Sequence, residues 1–525
     1  MPVLLIQDFS GGKNTRFRQN VIQDNQTPDC RNVRLRRQGG ISKRFGSTHI
    51  AVTGSGGQAF GAHAYALTGM SAEAMIVFTR ESPAYVARTT DGTTFSDVTG
   101  AFNTGQTIDL TAQTQLIHFV TFDNLVFAHA EYMDTRSYDN TTWVRIATAN
   151  NVFPRSRFAV VHKNRVFAGY LNYGSTDFKS RIKWSDYADN VWQSANFEDL
   201  HLDDGTVIRG MASYGDELIV WKGPENASQS WMHSKMFRIL GDVFDATSKS
   251  YIIEQIPMTE GVGLLGQDGW AIYRGKLIFL CNDGFYEYTG GGRAPVPSSE
   301  IINEDMKDLV VSAFNEADSK PAAFVFDDRF YCSVRSTRNS SEGYNNRVYI
   351  LDGEAWTIDI ISSTADSNAV GDGVGQQYTR FLGNIYFVPV TSSTFSGIAR
   401  GAIRRIEVED QFTENAQNEV SANVNFSYTT KEFTFDRERF IRSVFVHLKR
   451  QSSGTLTFGY NLDQRGESTT SIDMTAADDG TTETSSSSVF RKEFWVGQMC
   501  RTHQWRFHDR NNNDCEIYAL EIDYK

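Results

Sequence analysis

The chain has 525 residues, a net charge of −12, 40% hydrophobic and 13% aromatic residues. The aromatic share is ample for a large core and favours strands, while ten Pro and 22% charged residues exclude wholesale disorder. The negative balance excludes a general phosphate-binding surface, and no stretch approaches the roughly 20 apolar residues of a membrane span.

The start, Met1 to Gln7, lacks the basic region and the long apolar run of a signal peptide. Residues 3–9 alternate weakly and predict a strand, followed by a turn at Gly11-Gly12. Asn25 or Thr27 can cap a short helical turn. Val33 and Leu35 begin a strand, Gly39-Gly40 make a hairpin, and Ile41 to Phe45 return from it. Residues 1–46 carry nine Lys/Arg against three Asp/Glu, leaving about −18 on the remainder. Arg34, Arg36, Arg37, Lys43 and Arg44 crowd the hairpin. They suit a solvated edge that blocks strand addition, an anchor on an acidic neighbouring subunit, or a contact to DNA phosphates.

From residue 55 a unit recurs. Residues 89–95 read Thr-Thr-Asp-Gly-Thr-Thr-Phe and residues 137–143 read Ser-Tyr-Asp-Asn-Thr-Thr-Trp, in register 48 residues apart. Asp-Gly and Asp-Asn favour positive φ and so a tight hairpin tip, with the aromatic anchoring the returning strand. Looser echoes lie at Asp283-Gly284 and Asp352-Gly353. Short apolar runs follow polar turns at Met75–Phe78, Leu125–Ala128, Arg165–Gly169, Leu218–Trp221, Leu277–Leu280, Phe330–Val334 and Ile385–Val388, and are expected to be the inner strands. Hairpin units at this spacing predict a β-propeller of six or seven blades over 55–410. An excursion is expected within 222–260 and a short helix at about 301–316, where apolar residues recur at helical spacing.

An acidic linker is placed around 408–420. Residues 411–525 alternate as strands and predict a C-terminal β-sandwich-like domain, interrupted by a low-complexity loop at 475–488. Residues 1–54 stand apart as N-terminal strands and the basic hairpin, and the fold class is all-β.

The chemistry is sparse. No phosphate-binding, zinc-protease or nucleophile-elbow motif is present. Asp509 to Asp514 begins like a calcium loop, but Asp514 stands where Gly is needed and Leu520 where the bidentate Glu belongs. Asp203-Asp204 and Asp327-Asp328 sit at expected turns. His118, His129 and His162 lie beside apolar runs and are read as structural. The five cysteines form no metal-binding pattern and are read as reduced, mostly buried thiols. No catalytic residue, metal or cofactor is assigned.

The Asp turns resemble the Asp-box of sialidase-type propellers, Ser-x-Asp-x-Gly-x-Thr-Trp, with one residue fewer between Asp and Thr; there the turn stabilises the fold. The N-terminus carries a more specific likeness. Phe9-Ser10-Gly11-Gly12-Lys13-Asn14-Thr15-Arg16, Asp24 to Asp29, Arg31-Asn32-Val33 and Gly39-Gly40-Ile41-Ser42-Lys43-Arg44-Phe45-Gly46 resemble the opening of phage tail-completion proteins. These are the tail nozzle, tail hub or packaged-DNA stabilisation proteins of short-tailed phages. The likeness covers the first 46 residues well and the rest in architecture, with Phe45 where the family often has Pro. It implies a structural tail-tube protein without enzymatic activity, forming a hexameric ring below the portal and adaptor. Such a ring retains packaged double-stranded DNA and conducts it at ejection without reading its sequence. The implied location is the virion tail after assembly in the host cytoplasm, with the adaptor or head-to-tail connector and tail fibres or tailspikes as partners. Arg16, Arg18, Arg34, Arg36, Arg37, Lys43 and Arg44 are then candidate subunit or adaptor contacts. The alternative is a propeller tail protein that binds a receptor or carbohydrate, or cleaves glycans.

Overall fold

Two-residue turns that demand positive φ at both positions are cheap only in tight hairpins. Such turns occur at Asp123-Asn124, Lys163-Asn164, Arg274-Gly275, Asp327-Asp328 and Leu382-Gly383. Each joins the first two strands of a blade in the structure, a computed structural model. It describes all residues except 1, 53, 55–57, 106–107, 109–115, 148, 150, 174–175, 203, 226–228, 242–249, 312–319, 338–344, 361–374, 389–401, 409–412, 415–421, 452–453, 475–488 and 510–513. The expected linker lies mostly outside these described residues. So do the low-complexity loop, Asp203 and the interior of the 509–514 stretch.

Among the described residues, seven four-stranded antiparallel sheets form a seven-bladed propeller. The apolar runs expected to be innermost are instead the second strand of each blade, for example Ala74–Arg80, Leu125–Ala130 and Glu217–Gly223. The reason is burial. A second strand has a hydrogen-bonded neighbour on each edge and packs between adjacent blades, whereas the first strand faces the axis. Within 222–260, Lys235–Leu240 and Ile252–Gln255 are the outer strands of the fourth blade, and the rest of the expected excursion falls partly outside the described residues. The expected helix is a short turn, Glu300–Ile302 running into Asn303–Met306.

The first 54 residues divide between two sheets. β1 (Val3–Ile6), β2 (Asp29–Arg31), β3 (Val33–Leu35) and β4 (Ile41–Lys43) join six C-terminal strands in a ten-stranded sheet. That sheet curls into a nearly closed barrel. Its long strands, Phe433–Lys449 and Val489–Asp509, bend at register shifts, and Phe458, Trp505 and Phe507 fill its interior. β5 (Gly46–Ala51) goes the other way. It pairs with Ala402–Val408 as the fourth strand of the seventh blade, so the beginning of the chain closes the ring.

The same segment joins propeller to barrel. Lys13 N donates to the Trp356 carbonyl at 2.7 Å and Asn32 N to the Ile358 carbonyl at 2.9 Å. Arg34 donates twice to Asp359, at 2.9 and 2.7 Å, inside the protein. Gly12 has φ +66°, and a Cβ there would lie 2.8 Å from the Trp356 carbonyl oxygen, so both its torsion and its contact require glycine. Lys43 Nζ lies 3.0 Å from Asp509 in the barrel, with both side chains fully enclosed.

The Asp turns connect third to fourth strands, as their sequence predicts. Asp91 Oδ1 accepts from the amides of Thr93 and Thr94, and Asp139 Oδ1 from those of Thr141 and Thr142. These bonds hold the Asp91 carboxyl well below the usual carboxylate range. The aromatic after each turn is a wedge against the preceding blade. Trp143 Nε1 donates to the Val98 carbonyl and Trp356 Nε1 to the Ser298 carbonyl, while Phe95 packs beside Phe381 and Tyr386 of the seventh blade. All five cysteines are free and buried.

Trp356→Ala is expected to cost about 3–5 kcal/mol in denaturant unfolding, through the cavity and the lost inter-blade bond, with Trp356→Phe costing less. Lys43→Ala removes the enclosed cation paired with Asp509 and is expected to cost about 3–5 kcal/mol. The double change Lys43→Met, Asp509→Leu should recover most of that loss, because it removes both charges together.

Candidate functional site

The seven first strands converge on the propeller axis and enclose a cavity of about 240 Å³ lined from every blade. Its walls mix aromatic faces (Phe119, Phe158, Trp270, Tyr378) with polar groups (His63, His118, Gln267, Asp268, Gln377, Thr379).

Several polar groups hold the ring together. Gln377 Oε1 accepts from Ala62 N at 3.0 Å, and its Nε2 donates to the Ile117 carbonyl at 3.4 Å, so one side chain of the seventh blade ties down the first two. Thr379 Oγ1 accepts from Ala64 N at 3.0 Å. His63 Nε2 lies 2.8 Å from Thr121 Oγ1, and its ring stacks on Phe119 with centroids 5.4 Å apart.

Others face the cavity. His118 is buried, its Nδ1 3.7 Å from Asp268 Oδ2, and the Asp268 side chain is 32% exposed because it borders the cavity. Gln267 donates through Nε2 to the Arg157 carbonyl at 2.9 Å, leaving its Oε1 as a cavity acceptor. Around this layer, Arg157 pairs with Glu131 at 2.6 Å and Arg209 donates to the Leu265 carbonyl.

Enclosure sets the charges. Burial raises the Asp268 carboxyl to about 7, with Lys320 pulling it down. Burial lowers the Lys320 ammonium to about 7, assisted by Arg157 and opposed by Asp268. Burial lowers His63 and His129 to about 4 and His118 well below its ordinary value. At neutral pH the three imidazoles are uncharged, and burial pushes Asp268 and Lys320 towards their neutral forms.

The seven basic residues singled out in the sequence do not gather in one place. Arg34 and Arg44 are buried around Asp359, and Lys43 is enclosed with Asp509, so these three act inside the chain. Arg16 pairs with Glu300 and Arg36 with Glu516 at the surface, and Arg18 and Arg37 are exposed. The axial residues His63, Gln267, Asp268 and Lys320 escaped sequence reading. The signal was the polar residues at and just before each first strand, ahead of the two-residue turn. His118 and His129, read as structural, both lie in this axial layer.

No family model and no curated protein matches the chain. Solved structures do. The exo-β-1,3-galactanase from Phanerochaete chrysosporium with galactose is 10% identical, over 91% of this chain and 100% of that one, with TM-score 0.26. PorZ of the type-IX secretion system of Porphyromonas gingivalis is 10% identical, over 82% of this chain and 46% of that one, at 0.36. The computationally designed Ika8 protein is 8% identical, over 73% and 95%, at 0.33. The expectation of a chain without enzymatic activity is corrected on this point. Glycoside hydrolases stand among the matching structures, and an absence of catalysis is not carried forward. These likenesses transfer neither activity nor substrate to this chain.

Asp268 generates a pH prediction. Its folded value lies above its ordinary 3.8, so the folded protein binds the extra proton between these values. Its contribution is fully present below about 4 and is lost as pH rises through about 7. In urea unfolding across that range, the stability of the wild type relative to Asp268→Asn should fall between those two values and level off above them.

Proposed function

We propose that the chain is a ring-forming subunit of a short-tailed phage tail nozzle, packed side by side with copies of itself below a portal and adaptor. The observation that carries this reading is where the N-terminal likeness falls. Gly12, Lys13, Asn32, Lys43 and Arg44 belong to the motif positions shared with tail-completion proteins. In this chain Gly12, Lys13, Asn32 and Arg44 lie against propeller residues, and Lys43 pairs with Asp509 inside the barrel sheet. A likeness concentrated on interlocking residues speaks for a shared two-part architecture.

The surface supports assembly. Phe17 and Val21 are exposed beside Arg16 and Arg18, and Trp495 and Met499 project from the long barrel strand. Large apolar side chains of this kind suit contacts between copies or with an adaptor. Duplex DNA has no room inside a cavity of this size, so it would pass between subunits around their common axis. An overall charge of −12 favours a wall that repels phosphates and lets the duplex slide. Tail fibres or tailspikes would attach to the outside of the ring in the virion.

Sedimentation and negative-stain imaging of the full chain, alone and with a portal–adaptor complex, test the reading. Sixfold rings are expected, and Trp495→Glu with Met499→Glu should disperse them while leaving the circular dichroism spectrum unchanged. A chain that remains a monomer in both settings would sink the proposal.

A further inference from the structure

The axial cavity has no part in joining subunits. Its size and chemistry point to an occupant. At the bulk share of about 30 Å³ per water, it holds on the order of eight waters, the volume of one small ring with its substituents. Its open polar atoms include the acceptors of the Asp268 carboxyl and Gln267 Oε1, with His118 beside them. Acceptors that lack partners within the protein want hydroxyl donors. Trp270 also lines the wall among these groups, and an aromatic ring there suits the C–H face of a saturated ring. Strongly charged ligands fit less well. Enclosure at the axis disfavours the charged forms of the groups that face it, and among the described residues no group of three His, Cys, Asp or Glu could hold a metal ion. The Arg157 guanidinium of the surrounding layer is committed to Glu131 and to the Tyr170 ring 3.9 Å away.

From the cavity's size, the acceptors in its wall and its aromatic lining, we infer that the propeller axis binds one uncharged sugar ring. The hydroxyls donate to Asp268 and Gln267 while the ring rests against Trp270. The first strands of seven blades fix these groups, so the site is preformed and independent of assembly. Its test therefore runs on the isolated full-length chain and stands or falls apart from the nozzle reading.

Met211 lines the cavity while its methyl packs beside Gly169, and it serves as a nearby reporter. With methyl-labelled protein, titrations with D-glucose, D-galactose and D-mannose should shift the Met211 resonance saturably for at least one sugar. Asp268→Asn should weaken that binding about tenfold, and Gln267→Leu similarly. Ala62→Leu, which fills the cavity, should abolish the shift while the other methionine resonances stay in place. D-glucuronate, of the same size but anionic, should compete poorly. The inference is overturned if no neutral sugar gives a saturable shift in a folded sample. It is also overturned if the shift survives Ala62→Leu, or if glucuronate binds as well as the neutral sugars.

Discussion

The fold depends on one strand being carried to the far end of the propeller. Six blades are built from consecutive residues, but the seventh takes three strands from 377–408 and its fourth from β5. Without β5 the last blade would present an open edge of unpaired amides and carbonyls, and the disc would have no seam. Closing it requires contacts between the start of the chain and residues beyond 400. The entropy of a very long loop is therefore spent before the ring gains its last hydrogen bonds. Gln377 reinforces the seam from inside, reaching past the first blade to the second.

The same segment makes the barrel an extension of the propeller. β1 to β4 precede β5 directly, and they pair in the C-terminal sheet, so closing one body positions the other. The charges of this segment are mostly spent on that junction. Arg34 and Arg44 meet Asp359 on the sixth blade, Lys13 meets Asp305, and Lys43 meets Asp509 in the barrel. Buried pairs of this kind add little net stability, because desolvation offsets attraction, but each is costly to break from one side. The pairs to Asp359 and Asp305 tie the N-terminal segment to the propeller, while Lys43–Asp509 lies within the barrel sheet. A basic cluster that reads as a surface patch in sequence is thus largely an internal set of partners for acids hundreds of residues away. Arg16, Arg18, Arg36 and Arg37 remain at the surface.

The axis follows from the ring. Polar residues scattered along the sequence, His63, His118, Gln267, Asp268, Gln377 and Thr379, become neighbours only because seven first strands point inward together. Their titration is likewise a property of the assembly. A carboxyl and an ammonium lying 52 positions apart in the chain both move to about 7 because the disc encloses them.

What the sequence by itself determined was local. Type and spacing of strands follow from β-branched and aromatic runs between turns. The Asp-Gly and Asp-Asn tips follow from their tolerance of positive φ, and the inward Trp or Phe after each tip follows from its apolar bulk. These terms act within a few residues, so Thr89 to Phe95 and Ser137 to Trp143 foretell their own conformation. Only the tertiary structure decided which strand of each blade is innermost, that the blades number seven, and that β5 belongs to the last of them. It also decided where Arg34, Lys43 and Asp268 end up. Those outcomes rest on hydrogen-bond partners and burial supplied by distant residues, and no local pattern records them.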